Sequence, residues 1–369
     1  MAPQASEHWS ASDGDSFVNA VLSASLGEVD VKKEHGADVV SLRPPSATEI
    51  SKAVLLAGRE GGRVSVTTRL RPGLIALDLS RLNEVGTPDE ISCLIRVGAG
   101  AKVREVEARA IQVGLTLGPL LPSSPYKSVG AWLAGPTRGE RAIPPGRLET
   151  AALSLDAVLA DGSLYHSKEA PRSATGPDLD HLLLGSEGRF GVITQATLRL
   201  FPRALVEASG SRHAVAARDA IDAICTAARA GLAPVEARWD RAHGILEARF
   251  AGTGAAGRAR RFGHEPVAGS DRMHTHLELA GSWQAWGGIS PLRPQGMQFM
   301  AIHTDGAFGA VQFESADEAD QAAQHARAIG LTIVSPRRLR PAPDVGWASA
   351  KALYEALTKQ TDPHGVFAR

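Results

Sequence analysis

The period of the apolar positions changes several times along the chain, and each change marks an element. Val39-Val40-Ser41-Leu42 reads as a short strand, stopped by Pro44-Pro45 because proline has no amide to donate. Ser46-Ala47-Thr48-Glu49 has the spacing of a capping box, with Ser46 expected to accept from the amide of Glu49. Ile50, Ala53, Val54 and Ala57 then share one helical face, and Gly61-Gly62 closes that helix. Residues 63–68 alternate, which predicts a strand, and residues 75–79 and 94–97 predict two more. Residues 102–113 predict a charged amphipathic helix closed by Gly114, and the Gly/Pro-rich stretch 135–147 predicts a surface loop. A strand follows at 153–159, a hairpin turn at Asp161-Gly162, a short helix at 178–184 and a strand at 192–200.

Beyond Pro202 the pattern changes. Residues 214–230 predict a helix, 235–240 and 244–250 paired strands, and 299–303 and 308–314 two more strands. A helix at 316–329 and a strand at 331–335 follow. This succession predicts an antiparallel sheet with helices on one face, of ferredoxin-like type. Residues 253–297 give no clear element, and 347–359 predict a C-terminal helix stopped at Asp362-Pro363.

Composition narrows the function classes. The 369 residues carry 40 Lys+Arg against 40 Asp+Glu, and zero net charge argues against nucleic acid or an anionic membrane as partner. Cys93 and Cys225 are too few for a disulfide framework or a zinc ribbon, and fit a reducing cytosol. The apolar runs fall short of a span of ~20 residues, and the start lacks a charged and an apolar region. No transmembrane segment or signal peptide is therefore expected, and a cytoplasmic location is.

The most informative stretch is Leu184-Gly185-Ser186-Glu187-Gly188-Arg189-Phe190-Gly191-Val192-Ile193-Thr194. Its glycines lie between a predicted helix and a predicted strand, where bare backbone can approach a ligand. Exposed amides there suit a flavin ring or a ribityl chain; the other reading is a tight helix–strand turn. Gly252-Thr253-Gly254-Ala255-Ala256-Gly257 matches a dinucleotide fingerprint, but no second parallel strand or acid follows, so it reads as a turn. His274 and His276 share a strand face without an obvious third ligand, so no metal is expected. Tyr354 reads as a packing residue, and His303 is the single acid–base candidate.

The run 184–194 resembles the Gly-Ser-Glu-Gly-x-x-Gly-Val-Ile-Thr signature of flavin-linked oxidases in the vanillyl-alcohol oxidase/p-cresol methylhydroxylase superfamily. Other pieces fall in that family's order. Residues 39–49 resemble its opening strand–Pro–helix entry, and Leu77-Asp78-Leu79-Ser80-Arg81-Leu82-Asn83 its second strand. Pro122-Ser123-Ser124 with Ser128-Val129-Gly130 is similar to its Pro-x-Ser-Ser…Thr-Ile-Gly-Gly segment, and Val158-Leu159-Ala160-Asp161-Gly162-Ser163 to its strand and turn. Ala230-Gly231-Leu232-Ala233-Pro234, His303-Thr304-Asp305-Gly306-Ala307 and Asp362-Pro363-His364-Gly365-Val366-Phe367 resemble the cap of the alkylglycerone-phosphate synthase, D-lactate dehydrogenase and glycolate oxidase flavin-subunit branch.

The resemblance implies an α+β fold: a two-lobed FAD-binding domain of p-cresol methylhydroxylase type at 37–203 and a ferredoxin-like antiparallel cap at 204–340. It implies an N-terminal extension and helix at 1–36, and a C-terminal helix at 341–369 returning to the FAD domain. FAD would be held without a covalent bond, and weakly or not at all. The implied contacts are Thr67, Thr68, Arg69, Pro122, Ser123, Ser124, Ser128, Gly130, Gly185, Ser186, Gly188, Gly191, Val192 and Ile193. His303 would be the catalytic residue, and a small 2-hydroxy acid or alcohol the substrate, with a partner subunit completing the site. Two departures support an alternative: the branch's catalytic histidine cluster is missing, and its glycine nest is broken. The family's Arg-Gly-Gly-Gly-Thr-Ser loop, whose amides nest the diphosphate, is replaced by Ser65-Val66-Thr67-Thr68-Arg69-Leu70-Arg71-Pro72-Gly73. A flavin-less relative serving as a structural subunit of a larger complex is that alternative.

Overall fold

The computed structural model describes residues 11–34, 37–66, 74–118, 120, 123–135, 151–169, 179–264, 277–302, 304–335 and 348–367. The first lobe runs α1 (Ala11–Ser23), β1 (Glu28–Glu34), β2 (Ala37–Arg43), α2 (Ala47–Arg59), β3 (Arg63–Ser65) and β4 (Leu74–Leu77). Its sheet has the order β1-β2-β4-β3. β4 runs parallel to both β2 and β3, while β1 folds back antiparallel on β2. The apolar stripe of α2 (Ile50, Ala53, Val54 and Ala57) is buried against Leu42, Val64 and Ile75 of this sheet. At the start of α2 the Ser46 hydroxyl accepts from the amide of Thr48 at 3.2 Å, one residue earlier than the spacing suggests. It donates to the Glu49 carboxylate, and that bond pulls the Glu49 carboxyl below its ordinary value.

The second lobe contains β5 (Leu94–Gly98), α3 (Val103–Ile111), β6 (Leu115–Thr116), α4 (Val129–Ala134), β7 (Ala152–Val158), β8 (Leu164–His166), the short helix Leu179–Leu183, β9 (Val192–Arg199) and β10 (Phe201–Pro202). β5, β9, β7 and β8 form an antiparallel sheet in that order, and β6 pairs with β10. The turn from β7 to β8 uses Gly162 at φ +77°, with Asp161 accepting from the amide and hydroxyl of Ser163 at 2.9 and 2.6 Å. This turn docks on the first lobe, where Ser51 donates to the Gly162 carbonyl at 2.5 Å. Trp132, Leu155, Ile95 and Leu198 lie at the centre of the second core.

The chain then forms β11 (Glu207–His213), β12 (Glu236–Asp240), β13 (Ile245–Ala251), β14 (Leu277–Ser282), β15 (Gly296–Ile302), β16 (Gly306–Gln312) and β17 (Thr332–Ser335). They make one sheet of order β11-β13-β12-β15-β16-β14-β17, antiparallel at every pairing. Alternate residues such as Trp239, Leu246, Phe250, Met297 and Phe299 are buried with the helices Ala217–Arg229, Trp283–Gly287 and Ala316–Ala328 in a third core. Trp286 stands edge-on to Phe299 with ring centroids 5.0 Å apart, and its indole N–H reaches the Ala307 carbonyl at 3.0 Å. The intervening residues, among them Glu236, Arg238, Arg249, Glu278 and Gln298, occupy the opposite face of the sheet.

The C-terminal segment comes back to the first lobe. After the helix Ala348–Thr361, buried Asp362 accepts from the amides of Val366 and Phe367 at 2.8 and 3.0 Å. The Val366 carbonyl then takes the Val64 amide at 2.6 Å, so the tail lies along β3.

Candidate functional site: a cavity between the two lobes

The parallel strands of the first lobe end at a cavity of about 680 Å³. Ser41 of β2, Ala76 and Leu77 of β4 and Asp78 form one wall. Gly100, Ser128, Gly130 and the turn at Glu187-Gly188 form the other, and Lys32 and Lys102 supply positive charge to the lining. The volume lies within the ~300–1,000 Å³ of cofactor and ligand sites.

Asp78 ties the first wall together. It caps the 3₁₀ turn Leu79–Arg81 by accepting from the amide of Ser80 at 2.9 Å, and it accepts from Arg43 Nε at 2.9 Å. Arg43 in turn reaches Glu28 at 2.9 Å. Partial burial opposes ionisation of Asp78, but the bonds from Ser80 and Arg43 outweigh it and hold the carboxyl below its ordinary value. A lowered value makes this a stabilising contribution above the ordinary aspartate range, lost as pH falls through the folded-state value. Asp78→Asn is therefore expected to destabilise the fold at pH 7 by no more than about 1 kcal/mol, because the pair is partly exposed. The gap between variant and wild type should narrow as pH falls below the ordinary aspartate range and through the folded-state value, as followed by thermal melts across pH.

The turn that follows the helix Leu179–Leu183 is strapped onto α4. The amides of Gly185 and Glu187 donate to the carbonyls of Leu133 and Ala134 at 2.9 and 2.7 Å. Gly185, Glu187 and Gly188 all have positive φ, at +70°, +56° and +80°. A Cβ on Gly188 would lie 2.7 Å from Val66 Cγ2, another wall residue, so the glycine keeps that part of the cavity open. The two readings of this motif are thus compatible, since one turn both joins helix to strand and walls the cavity. The side-chain hydroxyl of Ser186 faces the other way, donating to the Leu183 carbonyl at 2.8 Å from a buried position.

Of the residues singled out in the sequence, Ser128, Gly130, Gly188, Gly191 and Ile193 line the cavity. Ser123, Ser124, Gly185, Ser186 and Val192 do not: Ser124 is buried, Val192 belongs to the first core, and Ser123 is bonded to Glu278. Thr67, Thr68, Arg69, Pro122 and His303 lie outside the described residues, as do His274 and His276. Lys32, Lys102, Asp78 and Gly100 were not picked out as site residues by the sequence motifs. Lys102 has only a one-residue signal, a cation directly before a helix, which many solvated helices share.

The lining is chemically suited to FAD. Two lysines offset the charge of a diphosphate, the hydroxyls of Ser41, Ser80 and Ser128 offer polar partners, and glycines at 100, 130 and 188 admit backbone contact. Among the described residues no group of His, Cys, Asp or Glu could hold a metal ion, and no helix is long and apolar enough to cross a membrane.

Comparison with known proteins agrees with this geometry. Residues 40–168 match the model of a FAD binding domain. A D-lactate dehydrogenase of Archaeoglobus fulgidus is 32% identical over 174 residues, covering 47% of this chain and 39% of that protein. An alkyldihydroxyacetonephosphate synthase of Caenorhabditis elegans is 28% identical over 157 residues, covering 41% of this chain and 26% of that one. These matches thus span well under half of the relatives' length. In structure the chain resembles an alkyldihydroxyacetonephosphate synthase with a TM-score of 0.63 at 15% identity, over 89% of this chain and 76% of that one. Cavity, domain match and fold agree that residues 40–168 form a FAD-binding domain similar to those of FAD-linked oxidoreductases.

Proposed function

We propose that the chain binds FAD without a covalent bond in the cavity between its two lobes and takes part in oxidising a small 2-hydroxy acid or related alcohol. The observation that carries this reading is that two separate stretches, Ser128 with Gly130 and Gly188 with Gly191 and Ile193, line one cavity. When bound, the flavin supplies the acceptor for the hydride removed from the substrate carbon. The chain's own residues bind and orient it. Lys32 and Lys102 offset negative charge, and Gly130 and Gly188 keep the wall low enough for a planar ring or a ribityl chain. The substrate class is supported by the likeness to a D-lactate dehydrogenase, a protein named for a 2-hydroxy acid. In this reading His303 is the acid–base group. A partner subunit completes the enclosure.

The flavin-less alternative is favoured by one observation: the stretch 65–73, where the family carries its glycine nest, holds Gly73 as its one glycine. Titration of flavin-stripped protein with FAD separates the two. The enzyme reading expects saturable quenching of flavin fluorescence and a resolved visible band on the protein. Absence of any saturable uptake would sink it in favour of a structural subunit.

A further inference from the structure

Glu278 is a carboxylate in β14 of the large sheet, and it is 1% exposed. Among the described residues no cation pairs with it. Its two oxygens instead accept from one residue of the second lobe, the amide of Ser123 at 2.9 Å and the hydroxyl of Ser123 at 2.6 Å. Burying a carboxylate is costly without compensation, so a carboxylate held this way fixes its partner strictly.

Ser123 begins a short, stiff segment. The amides of Tyr126 and Lys127 turn back to the carbonyls of Ser123 and Ser124 at 3.2 and 3.1 Å. At the far end the Lys127 carbonyl takes the Val103 amide at 3.1 Å. Val129 and Gly130 donate to Ala101 and Ala99, both at 2.8 Å. Those last bonds join the segment to Lys102, Ser128 and Gly130, all of which line the cavity. Residues 123–128 therefore form a strut, with one end in the cavity wall and the other held by the large sheet.

We infer that Glu278 is a positioning residue for the flavin site. Although it does not line the cavity, it sets the placement of Ser128, Gly130 and α4, and so couples the large sheet to cofactor binding. The inference rests on the proposed binding of FAD between the lobes.

The test is FAD titration of flavin-stripped protein, paired with hydrogen exchange at the amides of Ser123, Ser124, Tyr126 and Lys127 without flavin. Glu278→Ala removes both acceptors and strands the Ser123 amide; it is expected to weaken FAD binding about tenfold. It should also shift the visible band of bound flavin and raise exchange at the strut. Ser123→Ala removes one bond and should cost less. The double variant should match Glu278→Ala within about twofold, because both changes delete one interaction. Glu278→Gln should recover most of the affinity, since its carbonyl can accept from the Ser123 amide while its NH2 donates to the hydroxyl. A merely structural carboxylate would lower the melting temperature and leave affinity, band and exchange unchanged in the folded variant; that result overturns the inference. If wild type takes up no FAD, the flavin reading itself has failed. Hydrogen exchange then judges the strut alone, and unchanged exchange in Glu278→Ala overturns that too.

Discussion

Gly100→Ala is expected to cost at least about 3 kcal/mol, a large share of the ~5–15 kcal/mol that holds a domain folded. Gly100 sits where the two lobes meet, with its amide donating to the Leu82 carbonyl at 2.9 Å. A Cβ there would run into the main-chain carbonyl oxygen of Leu79, with the Leu79 carbonyl carbon at 2.8 Å and Ser80 Cα at 3.1 Å. Backbone cannot turn aside as a side-chain tip can, so the whole segment Leu79–Arg81 must move. That segment adjoins Asp78 and the cavity, so cofactor affinity should fall with stability. Urea unfolding should show a lower midpoint with an unchanged slope. Gly257→Ala is the control. It lies within the helix Ala255–Phe262, a Cβ there meets nothing within 4 Å, and the change should stabilise by up to about 1 kcal/mol. Equal behaviour of the two variants would refute the close-approach account of Gly100.

Lys102→Glu is expected to weaken FAD binding by roughly ten- to thirtyfold, or about 1.4–2 kcal/mol. Lys102 lines the cavity directly before α3, and its amide donates to Glu105 at 3.3 Å. The substitution removes a positive charge and adds a negative one beside a ligand that carries two. Because Lys102 is solvent-exposed, the effect should shrink strongly in 1 M salt, where screening acts within about 3 Å. Fluorescence titration at low and high salt measures both. An affinity difference that persists unchanged at high salt would point to a local structural fault rather than charge. No change at low salt would mean that the diphosphate lies elsewhere in the cavity. Gly188→Val would be a poorer probe, because positive φ and Val66 make that substitution strained whether or not flavin binds.

The elements built on one strong period were legible in the sequence. The helix α2 and its buried face, the strands β5 and β9, the Asp161-Gly162 turn and the helix Ala316–Ala328 all follow from local apolar spacing, caps and glycines. β1 and β14 were not legible. β1 is the charged edge Glu-Val-Asp-Val-Lys-Lys-Glu, whose apolar content is too thin to stand out. β14, Leu-Glu-Leu-Ala-Gly-Ser, is buried at Leu277 through Ala280, so its burial shows no alternation between faces.

The candidate cavity divides in the same way. The sequence marked Gly188 and Gly130 as positions of bare backbone, because a residue without a Cβ admits turns and close approach through its local geometry. Packing of the lobes brings Lys32, Asp78 and Lys102, from three separate elements, to the same cavity. Only the tertiary structure turned Ser123 and Ser186 away, the first to a carboxylate 155 residues on and the second into its own turn. A local rule fixes the conformation of a few residues. Which side chains meet across two lobes and a sheet depends on how three cores pack, and no short-range signal carries that information.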